Sequence, residues 1–212
     1  MPLPDPQRRY PITLPDGSDH TGTVFLSRAI DHPAFEVGDY TYASDFDPPR
    51  DWATRLAPYL FPTSAERLRI GRFSQIAHGV RFITSSASHA MDGLTSFPFP
   101  IFDPSQMARY QPDTRDTVIG HDVWLGYRAL VLPGAQIGNG VIVGAGAVVR
   151  GTIPDYAIVT GNPGTTLRYR FSPQDIARLL HLEWWNWPAE RIARAENALL
   201  SGDLTALERA AH

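Results

Sequence analysis

The sequence contains no cysteine and no lysine, so all 19 basic side chains among its 212 residues are arginine. The missing thiols remove disulfides, thiolate zinc sites, iron–sulfur clusters and any cysteine nucleophile, and they suit a reducing compartment. The missing amines remove Schiff-base and P-loop lysine chemistry, which leaves phosphate recognition to Arg, His or backbone N–H groups. Charge is scarce too, at 19% of residues with a net of −3. That balance argues against nucleic acid as the main partner, because a phosphate backbone calls for a basic face. Long apolar runs are also lacking. The longest, Val141 to Val149, is broken by Gly144 and Gly146 and falls far short of the roughly 20 residues that span a bilayer, so no membrane partner is expected. The opening MPLPDPQRRY has neither the apolar core nor the small-residue cleavage site of a secretory signal, which makes the cytoplasm the expected location.

What is present is a chain long enough, above ~150 residues, to bury about two-thirds of its unfolded surface without a staple. Its organising feature is a six-residue period. An aliphatic residue recurs at Ile119, Leu125, Val131, Ile137, Val143 and Val149, and Gly follows four of them, at 120, 126, 138 and 144. A helix of 3.6 residues per turn would scatter these side chains over several faces, and each Gly would cost it ~1 kcal/mol. Short strands that turn at Gly are left. The repeat predicts a mainly β fold, a parallel β-helix in which each hexad gives one short strand with its aliphatic residue inward. Three hexads per coil make residues 119–154 two coils, and Val37-Gly38, Ile70-Gly71, Ile76 and Phe82 fit the same grammar. The phase breaks twice, between Val37 and Ile70 and between Phe82 and Ile119. Long unpatterned segments in a compact domain tend to be functional, so the extended loop at about 84–116 is the first place to look.

After Phe171 the pattern becomes helical, with Ser172 as N-cap, Pro173 at the first helical position and Asp175 at the third. A break at WWNWP (Trp184 to Pro188) precedes a second helix carrying Ile192, Ala195 and Leu199 on one face and stopping near Gly202. We read 1–171 as the β-helix domain with its inserted loop and 172–212 as a C-terminal helical extension that caps the open end of the solenoid.

Seven histidines are present, at 20, 32, 78, 89, 121, 181 and 212. Most histidines are surface or hydrogen-bonding residues. His89 stands out by its place in the long loop, within SASHAMDGLTSFPF, flanked by small residues and followed by Asp92. No two of the seven have the close spacing of a zinc site, and His78, His89 and His121 could converge only across coils or subunits, so no metal is expected. The FPFPIF run at 97–102 is too apolar for water and suits either packing or an apolar acceptor pocket. Tyr40 and Tyr42 in VGDYTY carry the same ambiguity.

SASHAMDGLTSFPF, GHDVWLGYRALVLPGAQIGNGVIVGAGAVV, YAIVTGNPGTTLRYRF and WWNWP occur in this order, and in that combination the chain resembles the xenobiotic acetyltransferases, from about Val24 to Ile192. The resemblance implies a left-handed parallel β-helix forming a homotrimer with active sites between subunits. It implies an acetyl-CoA-dependent O-acetyltransferase that acts on a small, partly apolar acceptor such as chloramphenicol or a streptogramin A-type antibiotic. Residue by residue, it makes His89 the general base, a role that suits an imidazole with a reference pKa near ~6.5. With no Cys available, direct transfer in a ternary complex is favoured over an acetyl-enzyme. The same resemblance places acetyl-CoA along the coils at Trp124, Gly126, Ala145, Asn162 and Pro163; Tyr40, Tyr42, Met91 and Phe102 are our candidates for the acceptor. Two departures stand out. Phe73-Ser74-Gln75 replaces the usual Phe-Cys-Ser, and Ser88 precedes His89 where relatives have Asn or Gly. The lysines that relatives place near the cofactor phosphates are missing, so Arg150, Arg168 or Arg170 would supply that charge. Two other readings share the hexads: an acyltransferase acting on a sugar or amine metabolite, and a noncatalytic solenoid used for binding or assembly.

Overall fold

The computed structural model describes residues 3–110 and 113–211. Positions 1, 2, 111, 112 and 212, which belong to the expected domain, loop and extension and include His212, lie outside the described residues. Each hexad supplies two or three extended residues and a turn, too little for a hairpin but enough for one rung of a stack. The rungs begin with β1 (Thr23–Phe25), β2 (Phe35–Val37) and β3 (Tyr42–Ser44), followed by the short helix α1 (Trp52–Leu56). Next come β4 (Leu68–Ile70), β5 (Gln75–Ile76) and β6 (Arg81–Phe82). Beyond the long loop lie β7 (Thr117–Ile119), β8 (Trp124–Leu125), β9 (Leu130–Val131), β10 (Gln136–Ile137), β11 (Ile142–Val143) and β12 (Val148–Val149). β13 (Thr152–Ile153), β14 (Ala157–Thr160) and β15 (Thr165–Tyr169) follow, and α2 (Pro173–Leu182), α3 (Ala189–Ser201) and α4 (Leu204–Ala210) end the chain.

From β4 to β14 consecutive strands visit three sheets in fixed rotation. One sheet runs β13-β10-β7-β4-β2, the second β1-β3-β5-β8-β11-β14-β15 and the third β12-β9-β6. Pairing within the rotation is parallel, and the register sets hexad aliphatics on one another: Ile70 on Ile119 on Ile137, Ile76 on Leu125 on Val143, and Phe82 on Val131 on Val149. Ile119 meets Ile137 eighteen positions on, three hexads per turn as the repeat predicts. These residues are buried and form the continuous core. The last turn is shorter, with Ile137 on Ile153 and Val143 on Val159, because the chain drops two residues before β13.

Both breaks in the sequence period are insertions into this rotation. The first replaces a strand of the third sheet: α1 packs on β6 and buries Trp52, Ala53 and Leu56. The second leaves after β6 and returns at β7. Stacking is tight enough to dictate glycine where coils touch. A Cβ on Gly126 would lie 2.8 Å from the backbone N of Ala145 and from the Val143 carbonyl oxygen, contacts that only hydrogen avoids.

The helices start and stop as their caps dictate. Ser172 accepts from the Asp175 N–H, Pro173 takes the first position, and α3 ends at Gly202 with φ 71°. α4, capped by Asp203, is an element the sequence pattern did not signal. Their position corrects the expectation of an end cap. Trp185 stacks on His121 and its carbonyl accepts from Arg72, while Trp184 packs on Phe73, so this segment lies against the side of the coils where the first sheet turns into the second. In the second sheet the edge of the last coil is covered by β15, which pairs antiparallel with β14.

Candidate active site

The long loop is tied down at its root. Ser86 N–H donates to the Glu66 carboxylate at 2.6 Å, the Ser64 and Ser86 hydroxyls meet at 2.7 Å, and the Ser85 hydroxyl bonds both ways with the Arg115 backbone. Glu66 comes from the first insertion, so the two insertions brace each other. Above this root stands His89, exposed, with its Nδ1 3.0 Å from the Ser96 carbonyl oxygen. A carbonyl only accepts, so Nδ1 carries the proton and Nε2 presents a lone pair. Tyr110 supports the same geometry from the far end of the loop. Its hydroxyl donates to the Ser88 carbonyl at 3.1 Å, and its ring meets the imidazole edge-on at 6.4 Å. His89, Met91, Arg115 and Arg150 line a cleft of about 800 Å³. Asp92 and Asp113 line it as well, and Asp113 pairs with Arg115 at 2.7 Å, so the two arginines of the cleft are matched by two carboxylates.

A second concavity, about 720 Å³, lies on the second sheet and holds Tyr42, Gln75 and Trp124. These three side chains form one outward column, since Tyr42 pairs with Gln75 and Gln75 with Trp124 in successive coils. Trp124 is 48% exposed, which leaves about half of this large aromatic side chain open to a ligand. Three positions further along each strand runs a parallel column at the corner between the second and third sheets: Asp45, His78, Tyr127 and Ala145. Tyr42 and Trp124, expected on the acceptor and donor sides, thus share one groove, while His89 of the same chain lines the other cleft.

The remaining candidates spread out. Gly126 and Ala145 stack where the coils turn, Ala145 exposed and Gly126 held to hydrogen by its neighbours. Asn162 and Pro163 are exposed in the turn between β14 and β15. Arg150 lies in the His89 cleft, and Arg168 is exposed on β15 with its guanidinium donating to the Tyr169 carbonyl at 3.1 Å. Arg170 is engaged elsewhere, donating to the Gly140 carbonyl at 2.7 Å and to Asp122 at 3.2 Å. Phe102 is exposed and stacks on Phe97 at 5.3 Å. Tyr40 is buried, stacked on Phe73 at 4.6 Å, and burial pushes its phenol pKa up. That packing keeps its ring out of both concavities. His78 and His121, weighed with His89 as a distant metal triad, have different surroundings: His78 meets Asp45, and His121 stacks on Trp185.

Ser96, Tyr110 and Asp45 were not singled out by sequence reasoning. Nothing local marks Ser96 or Tyr110, because their contacts depend on the path of the loop. Asp45 could have been found once β3 was registered on β5, since position 45 then falls opposite position 78. A third concavity, about 540 Å³, separates the coils from the C-terminal helices and is largely apolar, with Asp122, Tyr156 and Arg170 at its wall. Burial raises the Asp122 pKa against the opposing pull of Arg170.

The family described as bacterial transferase hexapeptide (six repeats) matches residues 116–151, the span of β7 to β12. A chloramphenicol acetyltransferase of Agrobacterium fabrum is 38% identical over 194 residues, which is 88% of this chain and 91% of that protein. A virginiamycin A acetyltransferase of Staphylococcus aureus is 34% identical over 213 residues, 97% of this chain and 93% of its own. Among solved structures, a hexapeptide-repeat acetyltransferase of Vibrio cholerae in complex with acetyl coenzyme A is similar with a TM-score of 0.41, at 21% identity over 68% of each chain.

Proposed function

Because the chain belongs to the xenobiotic acetyltransferase family, matching a chloramphenicol acetyltransferase over 91% of that protein's length, we propose that it moves an acetyl group from acetyl-CoA to a hydroxyl of a small, partly apolar acceptor, with His89 as general base. One observation carries the assignment of the base. The Ser96 carbonyl holds the proton of His89 on Nδ1, so the free Nε2 can take the acceptor's hydroxyl proton as that oxygen attacks the thioester carbonyl. The C–O bond forms, the C–S bond breaks, and the imidazolium returns its proton to the departing thiolate. The main-chain carbonyl orients the ring and selects its tautomer. No covalent acetyl-enzyme is needed.

The donor fits the exposed column. Trp124 offers an indole face, Gly126 and Ala145 leave the backbone open to a narrow pantetheine arm, and Asn162 and Pro163 stand in the exposed turn beyond. Arg150 and the exposed Arg168 are the guanidinium groups we assign to the phosphates. Tyr42, Met91 and Phe102 would meet the acceptor. The coil is left-handed in this reading, and the active unit is a homotrimer. Two features support that assembly: His89 and Trp124 line separate concavities in one chain, and the loop leaves Met91, Leu94, Phe97, Phe99 and Phe102 exposed. A neighbouring copy that lays this apolar loop over the Trp124 groove would unite the base with the donor.

Thiol release from acetyl-CoA, measured for the purified protein and for His89→Ala across chloramphenicol, a virginiamycin A-type acceptor, amino sugars and simple saccharides, tests this. We expect release with at least one acceptor and a loss of about 10²- to 10⁴-fold in His89→Ala, the usual range for a general base. Turnover that survives the substitution removes His89 from the mechanism. Absence of acetyl-CoA binding by calorimetry would leave a noncatalytic solenoid.

A further inference from the structure

The Trp124 groove contains a polar pair that the transfer step does not use. His78 Nδ1 lies 2.7 Å from Asp45 Oδ1. The Asp45 side chain is 3% exposed and that of His78 21%, so the acid is sunk in the wall and the imidazole rim is open. Asp45 also accepts from the Asp47 N–H at 2.8 Å, which fixes the carboxylate. The Phe46 N–H approaches the same His78 nitrogen at 3.2 Å. The carboxylate contact is the shorter and charge-assisted one, so the proton resides on Nδ1. Nε2 then carries a lone pair, and no described residue hydrogen-bonds to it. The ring is flanked by Phe46 at 4.7 Å and Tyr127 at 5.6 Å, and the His78 carbonyl accepts from Arg128 N–H at 2.9 Å in the next coil.

Position gives the pair its meaning. In the corner column His78 stands one coil from Tyr127 and two from Ala145, and in the neighbouring column the same steps lead from Gln75 to Trp124 and Ile142. The donor residues proposed above occupy the Ala145 end. His78 and Asp45 occupy the other end, beside Tyr42. Among the described residues Asp45 is the one carboxylate lining this groove, it is already hydrogen-bonded, and no arginine lines it. His20, Gln75 and several hydroxyls also line the groove, and between the rings of Phe46 and Tyr127 His78 Nε2 adds an acceptor held in place for an uncharged donor.

We propose that His78, held by Asp45, is a specificity-determining residue for the acceptor: its Nε2 accepts a hydrogen bond from an uncharged hydroxyl or amide N–H of the acceptor other than the reacting hydroxyl. The pair is a positioning device, and the reacting proton remains with His89. The proposal rests on the acetyltransferase reading, and its test separates the two.

Two substitutions in the full-length protein divide the roles of the ring. His78→Asn keeps an amide N–H for Asp45 and withdraws the atom that faces the groove. His78→Gln restores a polar atom near the place of Nε2. Thiol release is measured with acetyl-CoA and chloramphenicol as the probe acceptor. His78→Asn is expected to raise the chloramphenicol KM about five- to tenfold, the scale of one hydrogen bond, with kcat within about twofold and the acetyl-CoA KM unchanged, and His78→Gln to recover much of the loss. A chloramphenicol KM that neither variant moves, or equal losses in both that follow a falling Tm, overturns the proposal and leaves the transfer reading standing. If the unsubstituted protein transfers nothing to chloramphenicol, the reading fails for that acceptor. The imidazole ¹⁵N spectrum then decides the proposal: chloramphenicol displacing the His78 Nε2 resonance sustains it, and an unmoved resonance overturns it.

Discussion

His89 and His78 are the same side chain in opposite settings. His89 stands on an exposed loop, its Nδ1 proton given to a neutral carbonyl, with two arginines and two aspartates in its cleft. His78 stands on a coil corner, its Nδ1 proton given to a buried carboxylate, with aromatic rings on its flanks. The partner decides what each ring can do. A carbonyl selects the tautomer of a ring on a loop, whereas a buried carboxylate also fixes the ring in the wall of the groove. The mounting differs as well. A loop can bring its ring to a partner's groove, whereas a coil corner is fixed by the register of the rungs above and below. Transfer chemistry on the loop and recognition on the coil is the division we propose from this contrast.

The sharpest way to break this division is to compare the losses. His89→Ala should cost about 10²- to 10⁴-fold in kcat, against a change within about twofold for His78→Asn. Reversed kcat losses in thiol-release kinetics would assign the chemistry to the coil. Next in size is a change to the groove wall that leaves the loop alone. Gly126→Ala sets a Cβ 2.8 Å from the backbone of the next coil, and overpacking of this kind costs ~1–3 kcal/mol. At roughly 2–4 °C per kcal/mol for a chain of this size, calorimetry should show a fall in Tm of several degrees, accompanied by a higher acetyl-CoA KM. An unchanged Tm would mean that the coils can part there.

A smaller effect separates the loop's own support from its root. Tyr110→Phe removes the bond to the Ser88 carbonyl and keeps the ring edge against His89. One such bond is worth about 1 kcal/mol, so kcat should fall about fivefold with both KM values and the Tm nearly unchanged. A kcat equal to that of the unsubstituted protein would show that the Ser96 carbonyl alone aligns the ring.

The same division explains what the sequence made legible. The rungs were readable because each inward residue packs on the residue three hexads away, and that repetition writes itself into the chain as Ile119, Leu125, Val131 and their successors. Where the last coil shortens, at Ile153 and Val159, the period fades although the stacking continues. His89 was singled out as a candidate by its loop and by family resemblance. Its orientation was not, since Ser96 and Tyr110 reach it through a loop whose path no periodicity fixes. The Asp45–His78 pair was hidden for another reason. The first insertion replaces a strand, so residues facing each other across adjacent coils are 33 positions apart there, not 18. α2 and α3 were signalled by their caps and apolar faces, but their seat was not, because an aromatic stack such as Trp185 on His121 leaves no local pattern.

His121 supplies the smallest prediction and an internal control for the other two histidines. Its Nδ1 accepts the Arg72 N–H at 2.9 Å, its ring lies parallel to Trp185 at 5.3 Å, and burial, aided by the Arg72 charge and opposed by Glu183, lowers its pKa from the ordinary 6.5. The folded protein therefore keeps this imidazole neutral at a pH where the unfolded chain already binds a proton. With more protons bound in the unfolded state, stability rises with pH in that window. Above the ordinary 6.5 both states are neutral and the contribution is fully present; as pH falls below it, the contribution is progressively lost. His121→Asn keeps an acceptor for the Arg72 N–H and removes the titration. Urea midpoints at pH 8, 7, 6 and 5 should fall less steeply below pH 7 in the variant than in the unsubstituted protein, while kcat at pH 7.5 stays within about twofold. Parallel midpoint curves would mean that this ring does not sense its burial. A loss of kcat with stability intact would tie the helix-facing corner to the transfer step, and the division between loop and coil would have to be redrawn.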